Sequence, residues 1–206
     1  MAKSEETMYT FDHGLFLWLN FDGGPVMDAI MTTISGTLMW LPLYMLIIYL
    51  VWRKFGWQRT LGFVVCLALA IGFSDIICGI FKHSGPLKNV WESFPVRHRP
   101  MFTTSLQGLI HIPSFDGYGL YGTVSAHAAT VVSLAWMSAL VIRRRWYNWL
   151  IGVSVVLICY SRIYLACHFP MDLVIGTVVG SAIGVAIYLL WRKFDRVIEN
   201  TINQHR

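Results

Sequence analysis

Residues 161–172 read SRIYLACHFPMD and join two strongly apolar segments of the chain. The polar side chains of this stretch, Ser161, Arg162, His168 and Asp172, stand at fixed spacing. If Asp172 lies on the same helical face as His168, four residues away, its carboxylate can accept a hydrogen bond from one imidazole nitrogen. The other nitrogen is then available as a nucleophile or base. Arg162, six positions before His168, is placed to hold an anion in front of it.

The apolar segments on both sides predict a membrane protein. Of 206 residues, 56% are hydrophobic and 13% are charged, a composition too apolar for an ordinary soluble domain. Stretches long enough to cross a bilayer of about 30 Å run over residues 36–52, 60–81, 123–142, 147–165 and 172–191. Residues 25–35 either extend the first span or form a separate short element. We therefore expect an all-α, polytopic transmembrane helical bundle of five to six membrane helices, with residues 1–206 forming a single domain.

Basic residues indicate the orientation of the spans. They cluster after the first, third and fifth spans: Arg53, Lys54, Arg59, Arg143, Arg144, Arg145, Arg192, Lys193 and Arg196. By the positive-inside rule these ends are cytoplasmic. Arg162 and His168 then lie at the extracytoplasmic ends of the helices.

Two further polar stretches fall at the same ends of the spans. Residues 122–127 read GTVSAH, so that Ser125 and His127 open an apolar run where the N–H groups of a helix start can bind an anion. A basic cluster ends in Arg99-Pro100 and is preceded by Lys82 and Lys88.

Together these stretches resemble the three blocks of the type 2 phosphatidic acid phosphatase superfamily, Lys-x6-Arg-Pro, Pro-Ser-Gly-His and Ser-Arg-x5-His-x3-Asp, over about residues 70–190. The third block agrees at all four specified positions. In the second block Val124 replaces proline and Ala126 replaces glycine, although alanine keeps the backbone N–H. In the first block Glu92 stands where the family has lysine.

Either Lys82 or Lys88 must then serve as the lysine of the first block. We favour Lys82, because it directly follows an apolar run. Arg97 either adds a phosphate contact or sits at the headgroup level. Asp75, seven residues before Lys82, is an intramembrane carboxylate that either positions a cation or makes a structural hydrogen bond.

The resemblance implies a role for each matching residue. His168 would attack phosphorus to give a phosphohistidine, and Asp172 would orient its imidazole. His127 would protonate the leaving oxygen and then activate water. Phosphate would be bound by Lys82, Arg99, Ser125, Arg162 and the backbone N–H of Ala126. No metal and no cofactor are expected.

The function that the resemblance implies is that of a metal-independent lipid phosphatase in the bacterial inner membrane, with its active site facing the periplasm or exterior. The expected partners are the bilayer and a phosphorylated lipid such as undecaprenyl diphosphate, lipid A or phosphatidylglycerol phosphate. No aromatic-basic patch indicates nucleic acid, and the oligomeric state stays open. The runner-up within catalysis is a vanadate-dependent haloperoxidase, whose family shares these blocks, but haloperoxidases are soluble and five spans argue against it. The remaining alternative is a non-catalytic lipid-binding or transport protein on this scaffold, for which a nucleophile with an orienting carboxylate would be superfluous.

Overall fold

Seven α-helices account for most of the described chain. The structure is a computed structural model, and it describes residues 2–113 and 119–204. The helices are α1 (Ala2–Leu19), α2 (Gly24–Ser35), α3 (Leu41–Phe55), α4 (Trp57–Ile80), α5 (Ala126–Ile142), α6 (Arg145–Tyr164) and α7 (Pro170–Gln204). One short 3-10 turn precedes α3 at Thr37–Trp40, and two more lie within the long connection between α4 and α5, at Pro100–Phe102 and Thr104–Leu106.

The predicted transmembrane bundle is confirmed. Among the described residues, four helical segments are long and apolar enough to cross a membrane: Thr37–Phe55, Trp57–Ile80, Arg145–Tyr164 and Pro170–Glu199. The shorter apolar helix α5 occupies the remaining predicted span. Residues 25–35 belong to the separate helix α2, which has Pro25 in its first turn and ends before Gly36.

Helix α7 lies unusually close to α5 through a row of glycines. Gly176, Gly180 and Gly184 recur every four residues, so they share one face of α7. A Cβ atom at Gly176 would lie 2.6 Å from the Ser125 carbonyl oxygen, and one at Gly184 would lie 2.6 Å from the Ser133 carbonyl oxygen. Such small residues let two membrane helices approach at backbone distance. This contact fixes the start of α5 against the start of α7.

The two ends of the bundle differ in character. At one end the basic residues make local contacts: Lys54 donates to the Val141 carbonyl at 2.7 Å, and Arg59 Nε lies 2.6 Å from Asp195 Oδ1. Helix α4 has 24 residues and carries the chain about 36 Å from this end to Lys82. At that second end α1 and α2 pack on the turn between α6 and α7, where Phe16, Met31 and Phe169 are buried together.

Candidate active site

The turn between α6 and α7 is held by the carbonyl group of Arg162. This oxygen accepts the N–H groups of Cys167 at 3.0 Å and His168 at 3.2 Å. Ala166 takes a left-handed backbone conformation with φ 52°, as is common where a helix ends. Pro170 then begins α7, in the position where its missing N–H costs nothing. The chain therefore reverses within five residues and leaves His168 between the two helices.

Asp172 caps the start of α7. Its Oδ2 accepts the N–H of Phe169, the residue before the helix, at 2.9 Å, which is one half of a capping box. His168 thus precedes α7, so the expectation that His168 and Asp172 share a helical face is wrong. The two side chains nevertheless meet, because the cap brings Asp172 Oδ2 to 3.5 Å from His168 Nδ1.

The hydrogen bonds of His168 define its tautomer. Nδ1 lies 3.0 Å from the Gly122 carbonyl oxygen, and Nε2 lies 3.1 Å from Arg99 Nη1. Since a carbonyl group only accepts and a guanidinium only donates, the proton is on Nδ1 and the lone pair is on Nε2. Arg99 is itself held by the carbonyl oxygens of Gly119 at 2.6 Å and Cys167 at 3.0 Å. The imidazole is therefore neutral, oriented and basic at Nε2.

Burial favours this neutral form. His168 is 1% exposed, and burial lowers its pKa to about 4, although the neighbouring Asp172 carboxylate acts in the opposite direction. The positive charges of Arg99 and Arg162 add to the lowering of this pKa. Nε2 is consequently unprotonated at neutral pH, and its lone pair accepts the hydrogen bond from Arg99.

A buried ion-pair network lies behind Asp172. Arg97 Nη2 donates to Asp172 Oδ1 at 2.5 Å, and Arg97 Nη1 donates to Asp12 Oδ2 at 2.6 Å. Asp12 is 2% exposed and also accepts the N–H of Met171 at 3.0 Å. Burial by itself would lower the pKa of Arg97, but the two carboxylates raise it. Arg97 is therefore a partner of carboxylates, which neither of its sequence-based readings anticipated.

Sequence reasoning missed Asp12 and the carbonyl group of Gly122. A signal for Asp12 existed, because it stands four residues before Phe16 and both side chains are buried on one face of α1. Every residue has a backbone carbonyl group, so no sequence signal could have identified the Gly122 carbonyl as the partner of His168.

Of the two candidate lysines, the structure brings only Lys82 to the other cations. Burial lowers the pKa of Lys82, and the charges of Arg99 and Arg162 contribute to this lowering. Lys88 is exposed in the long connection between α4 and α5. Arg162 is 2% exposed and donates a hydrogen bond to Ser35 Oγ at the end of α2.

The start of α5 borders this group of cations. Ser125 is the N-cap of α5, its Oγ accepts the N–H of Ala128 at 3.4 Å, and its own N–H binds the Asp172 carbonyl oxygen at 3.1 Å. Helix α5 begins at Ala126, so the N–H groups of its first turn are not used within the helix. All the residues proposed from sequence thus lie around one point: Lys82, Arg99, Ser125, Ala126, His127, Arg162, His168 and Asp172.

Two cavities flank this point. One of about 770 Å³ is bordered by Asp12, Arg97 and Asp172. The other, of about 490 Å³, is bordered by His127 and by residues of α2 to α6. His127 is exposed to this second cavity, although the charges of Lys82, Arg99 and Arg162 all act on its imidazole.

Comparison with known proteins yields consistent matches. The family model described as PAP2 superfamily matches residues 59–196. A lipid A 4'-phosphatase of Bacteroides thetaiotaomicron is 31% identical over 196 residues, which cover 95% of this chain and 83% of that protein. An undecaprenyl-diphosphatase of Sulfolobus acidocaldarius is 24% identical over 83% of this chain and 74% of that protein. The transmembrane PAP2-type phosphatidylglycerolphosphate phosphatase from Bacillus subtilis superimposes with a TM-score of 0.63 at 19% identity, over 93% of this chain and 88% of its own.

Proposed function

This chain belongs to the PAP2 superfamily, and we propose that it releases phosphate from a membrane lipid through a phosphohistidine on His168. One observation carries the proposal: the proton of His168 is bound at Nδ1 by the Gly122 carbonyl, while the lone pair of Nε2 is directed at Arg99. A buried imidazole held in this tautomer among several cations is prepared to attack an anionic phosphorus centre.

In the first step Nε2 of His168 attacks phosphorus, and the bond between phosphorus and the leaving oxygen breaks. His127 donates its proton to that oxygen, so the lipid product departs as an alcohol or, from a diphosphate, as a monophosphate. The imidazole of His168 becomes cationic, and Asp172 at 3.5 Å stabilises the new charge. The arriving phosphate takes over the Arg99 donor that binds Nε2 in the free protein.

In the second step water attacks the phosphohistidine. His127, now neutral, accepts a proton from the water, the bond between phosphorus and nitrogen breaks, and inorganic phosphate leaves. His127 is again protonated and His168 again neutral, so the cycle closes without any other reagent.

Side chains stabilise the negative charge that develops on the phosphoryl oxygens. Lys82, Arg99 and Arg162 supply three positive groups, and Ser125 with the N–H of Ala126 adds donors at the start of α5. These donors match the non-bridging oxygens of a transferring phosphoryl group. Metal independence is therefore part of the proposal.

Lipid A is our first candidate substrate, because the relative that matches 95% of this chain is a lipid A 4'-phosphatase. Undecaprenyl diphosphate is the second. We further propose that the chain lies in a bacterial inner membrane with His168 facing the periplasm. With this orientation the carboxyl end is cytoplasmic, so a green fluorescent protein fused to it is expected to fluoresce. A fusion protein of normal abundance that does not fluoresce would indicate the opposite orientation.

The test of the function is phosphate release by the detergent-purified protein in EDTA. The panel contains lipid A, undecaprenyl diphosphate, phosphatidylglycerol phosphate and phosphatidic acid. We expect turnover in EDTA and complete loss in His168→Ala, because no other group replaces the attacking nitrogen. Wild-type protein given a 32P-labelled substrate and quenched in alkaline detergent should carry label that is stable to base and labile to acid.

The control is thermal unfolding of His168→Ala, which should remain cooperative. Turnover in that variant would refute the phosphohistidine. No release from any lipid by folded wild-type protein would instead support the lipid-binding or transport alternative.

A further inference from the structure

Asp75 is an intramembrane carboxylate that the proposed mechanism does not use. It lies in α4 and is exposed to the 490 Å³ cavity, which His127 also borders. Within residues 2–113 and 119–204 its carboxylate has neither a hydrogen bond nor an ion pair, although the charge of Lys82 acts on it. A charged group inside a membrane protein is costly and usually serves a ligand or a proton path.

The proposed mechanism indicates which part of the substrate occupies this cavity. Attack and departure at phosphorus occur roughly in line, so the leaving group lies on the side opposite to the nucleophile. His127 protonates the leaving oxygen, and the leaving group must therefore occupy the space that His127 borders. This space is the 490 Å³ cavity, whose volume falls in the range of small-ligand pockets.

The lining of the cavity combines polar and apolar side chains. Ser35, Thr37, Asp75 and Thr130 offer hydrogen-bonding groups, and Trp40, Tyr44, Ile71, Val131 and Ile158 offer apolar surface. A headgroup with hydroxyl or amide donors next to the phosphate would satisfy the Asp75 carboxylate. A leaving group that is itself a phosphate would bring a second negative charge towards it.

We propose that this cavity holds a hydroxyl-bearing sugar headgroup and that Asp75 selects phosphomonoesters of such sugars over lipid diphosphates. The proposal rests on the phosphatase activity proposed above and narrows its substrate class. Asp75 acts on the leaving group, whereas the cations act on the phosphate common to both substrate classes.

The test compares Asp75→Asn with wild type on two substrates in nanodiscs of neutral lipid with EDTA. The substrates are lipid A carrying a 4'-phosphate on its sugar and undecaprenyl diphosphate. We expect kcat/KM for lipid A to fall about tenfold, because a charged acceptor is lost, and kcat/KM for the diphosphate to rise by up to about tenfold. Glu92→Gln, which removes an exposed carboxylate outside the cavity, should change neither value.

Each outcome separates the two proposals. If neither kcat/KM value changes in Asp75→Asn, the selective role is overturned. An equal fall for both substrates would also overturn it and make Asp75 a positioning residue for Lys82. Absence of activity in wild-type protein on every lipid would refute the function itself.

A second pair of variants tests the cavity rather than its charge. Gly72 borders the cavity three residues before Asp75, and a Cβ atom there would meet nothing within 4 Å. Gly72→Leu should therefore fill the cavity without straining the backbone. The matched control is Gly152→Leu, since Gly152 is exposed, lies in a helix as Gly72 does, and also has open space where a Cβ atom would lie.

We expect Gly72→Leu to lower kcat/KM for lipid A at least tenfold while hydrolysis of p-nitrophenyl phosphate, whose leaving group is small, stays within about twofold. Gly152→Leu should leave both values unchanged. Equal effects of Gly72→Leu on the large and small substrates, or the same loss in Gly152→Leu, would overturn the assignment of the cavity.

Discussion

The charged side chains on the two sides of His168 both border a cavity, but only those on one side are paired with one another in the part of the chain that the structure describes. Asp172, Arg97 and Asp12 form a chain of ion pairs of 2.5 and 2.6 Å, and both carboxylates are at most 2% exposed. His127 and Asp75 instead border the 490 Å³ cavity. We call these groups the paired side and the open side.

The difference reflects what each side must do during turnover. The paired side orients the nucleophile, whose position must stay the same before and after the phosphoryl group arrives. The open side must meet a leaving group and then a water molecule, so its groups cannot be committed to protein partners in advance. Substitutions on the paired side should therefore affect stability together with rate, and those on the open side should affect rate alone.

The largest effect on the open side is expected from His127→Asn. Loss of the general acid should lower kcat for a lipid substrate about 10²–10⁴-fold. Hydrolysis of p-nitrophenyl phosphate should fall less, because its leaving group needs no proton. The thermal unfolding midpoint should not change. An equal loss on both substrates, or a lower midpoint, would contradict the role of an acid on the open side.

On the paired side, Arg97→Met should destabilise the protein by about 3–5 kcal/mol, because it leaves two buried carboxylates without their cation. The matched control is Arg59→Met at the opposite end, where the pair with Asp195 is more exposed and should contribute less than about 1 kcal/mol. Denaturant unfolding in detergent measures both. Equal destabilisation by the two variants would show that the paired network adds nothing beyond an ordinary ion pair.

This contrast also explains what the sequence could predict. The lengths of the apolar stretches and the spacing in residues 161–172 are local properties, and they predicted the bundle and the meeting of His168 with Asp172. The way in which these two residues meet was not predictable from the spacing. It depends on the capping of α7 by Asp172, which needs the turn at Ala166.

The paired side was the less predictable of the two because its partners are far apart in sequence. Asp12 and Arg97 are separated by 85 residues, and Arg97 and Asp172 by 75. Such pairings follow from how α1 packs on the start of α7. The open side needs no long-range partner, and its members Asp75 and His127 could be selected from residue type and position alone.

A smaller effect separates the two candidate lysines. Lys82→Ala should reduce kcat/KM about 10–100-fold, because it removes a charged donor to phosphate. Lys88→Ala should change it less than about twofold, because Lys88 is exposed and apart from the other cations. Steady-state kinetics on one lipid substrate suffices. A larger loss in Lys88→Ala would place that lysine at the phosphate instead.

The smallest effect concerns the proton of His168. Burial is the largest cause of the shift and lowers the pKa of His168 to about 4, whereas the Asp172 carboxylate acts to raise this pKa. Asp172→Asn removes only the smaller contribution and should lower the pKa further, as a 13C NMR titration of labelled histidine rings would measure.

The sign of the linked stability follows from the same pKa. Since the folded pKa of His168, about 4, lies below that of an unfolded histidine, the unfolded state binds more protons between these two values. The contribution of His168 to stability is therefore fully present above about pH 6.5 and is lost as the pH falls towards 4. A His168 resonance that titrates near the ordinary histidine value would mean that the ring is hydrated, and the paired side would then not hold a neutral nucleophile.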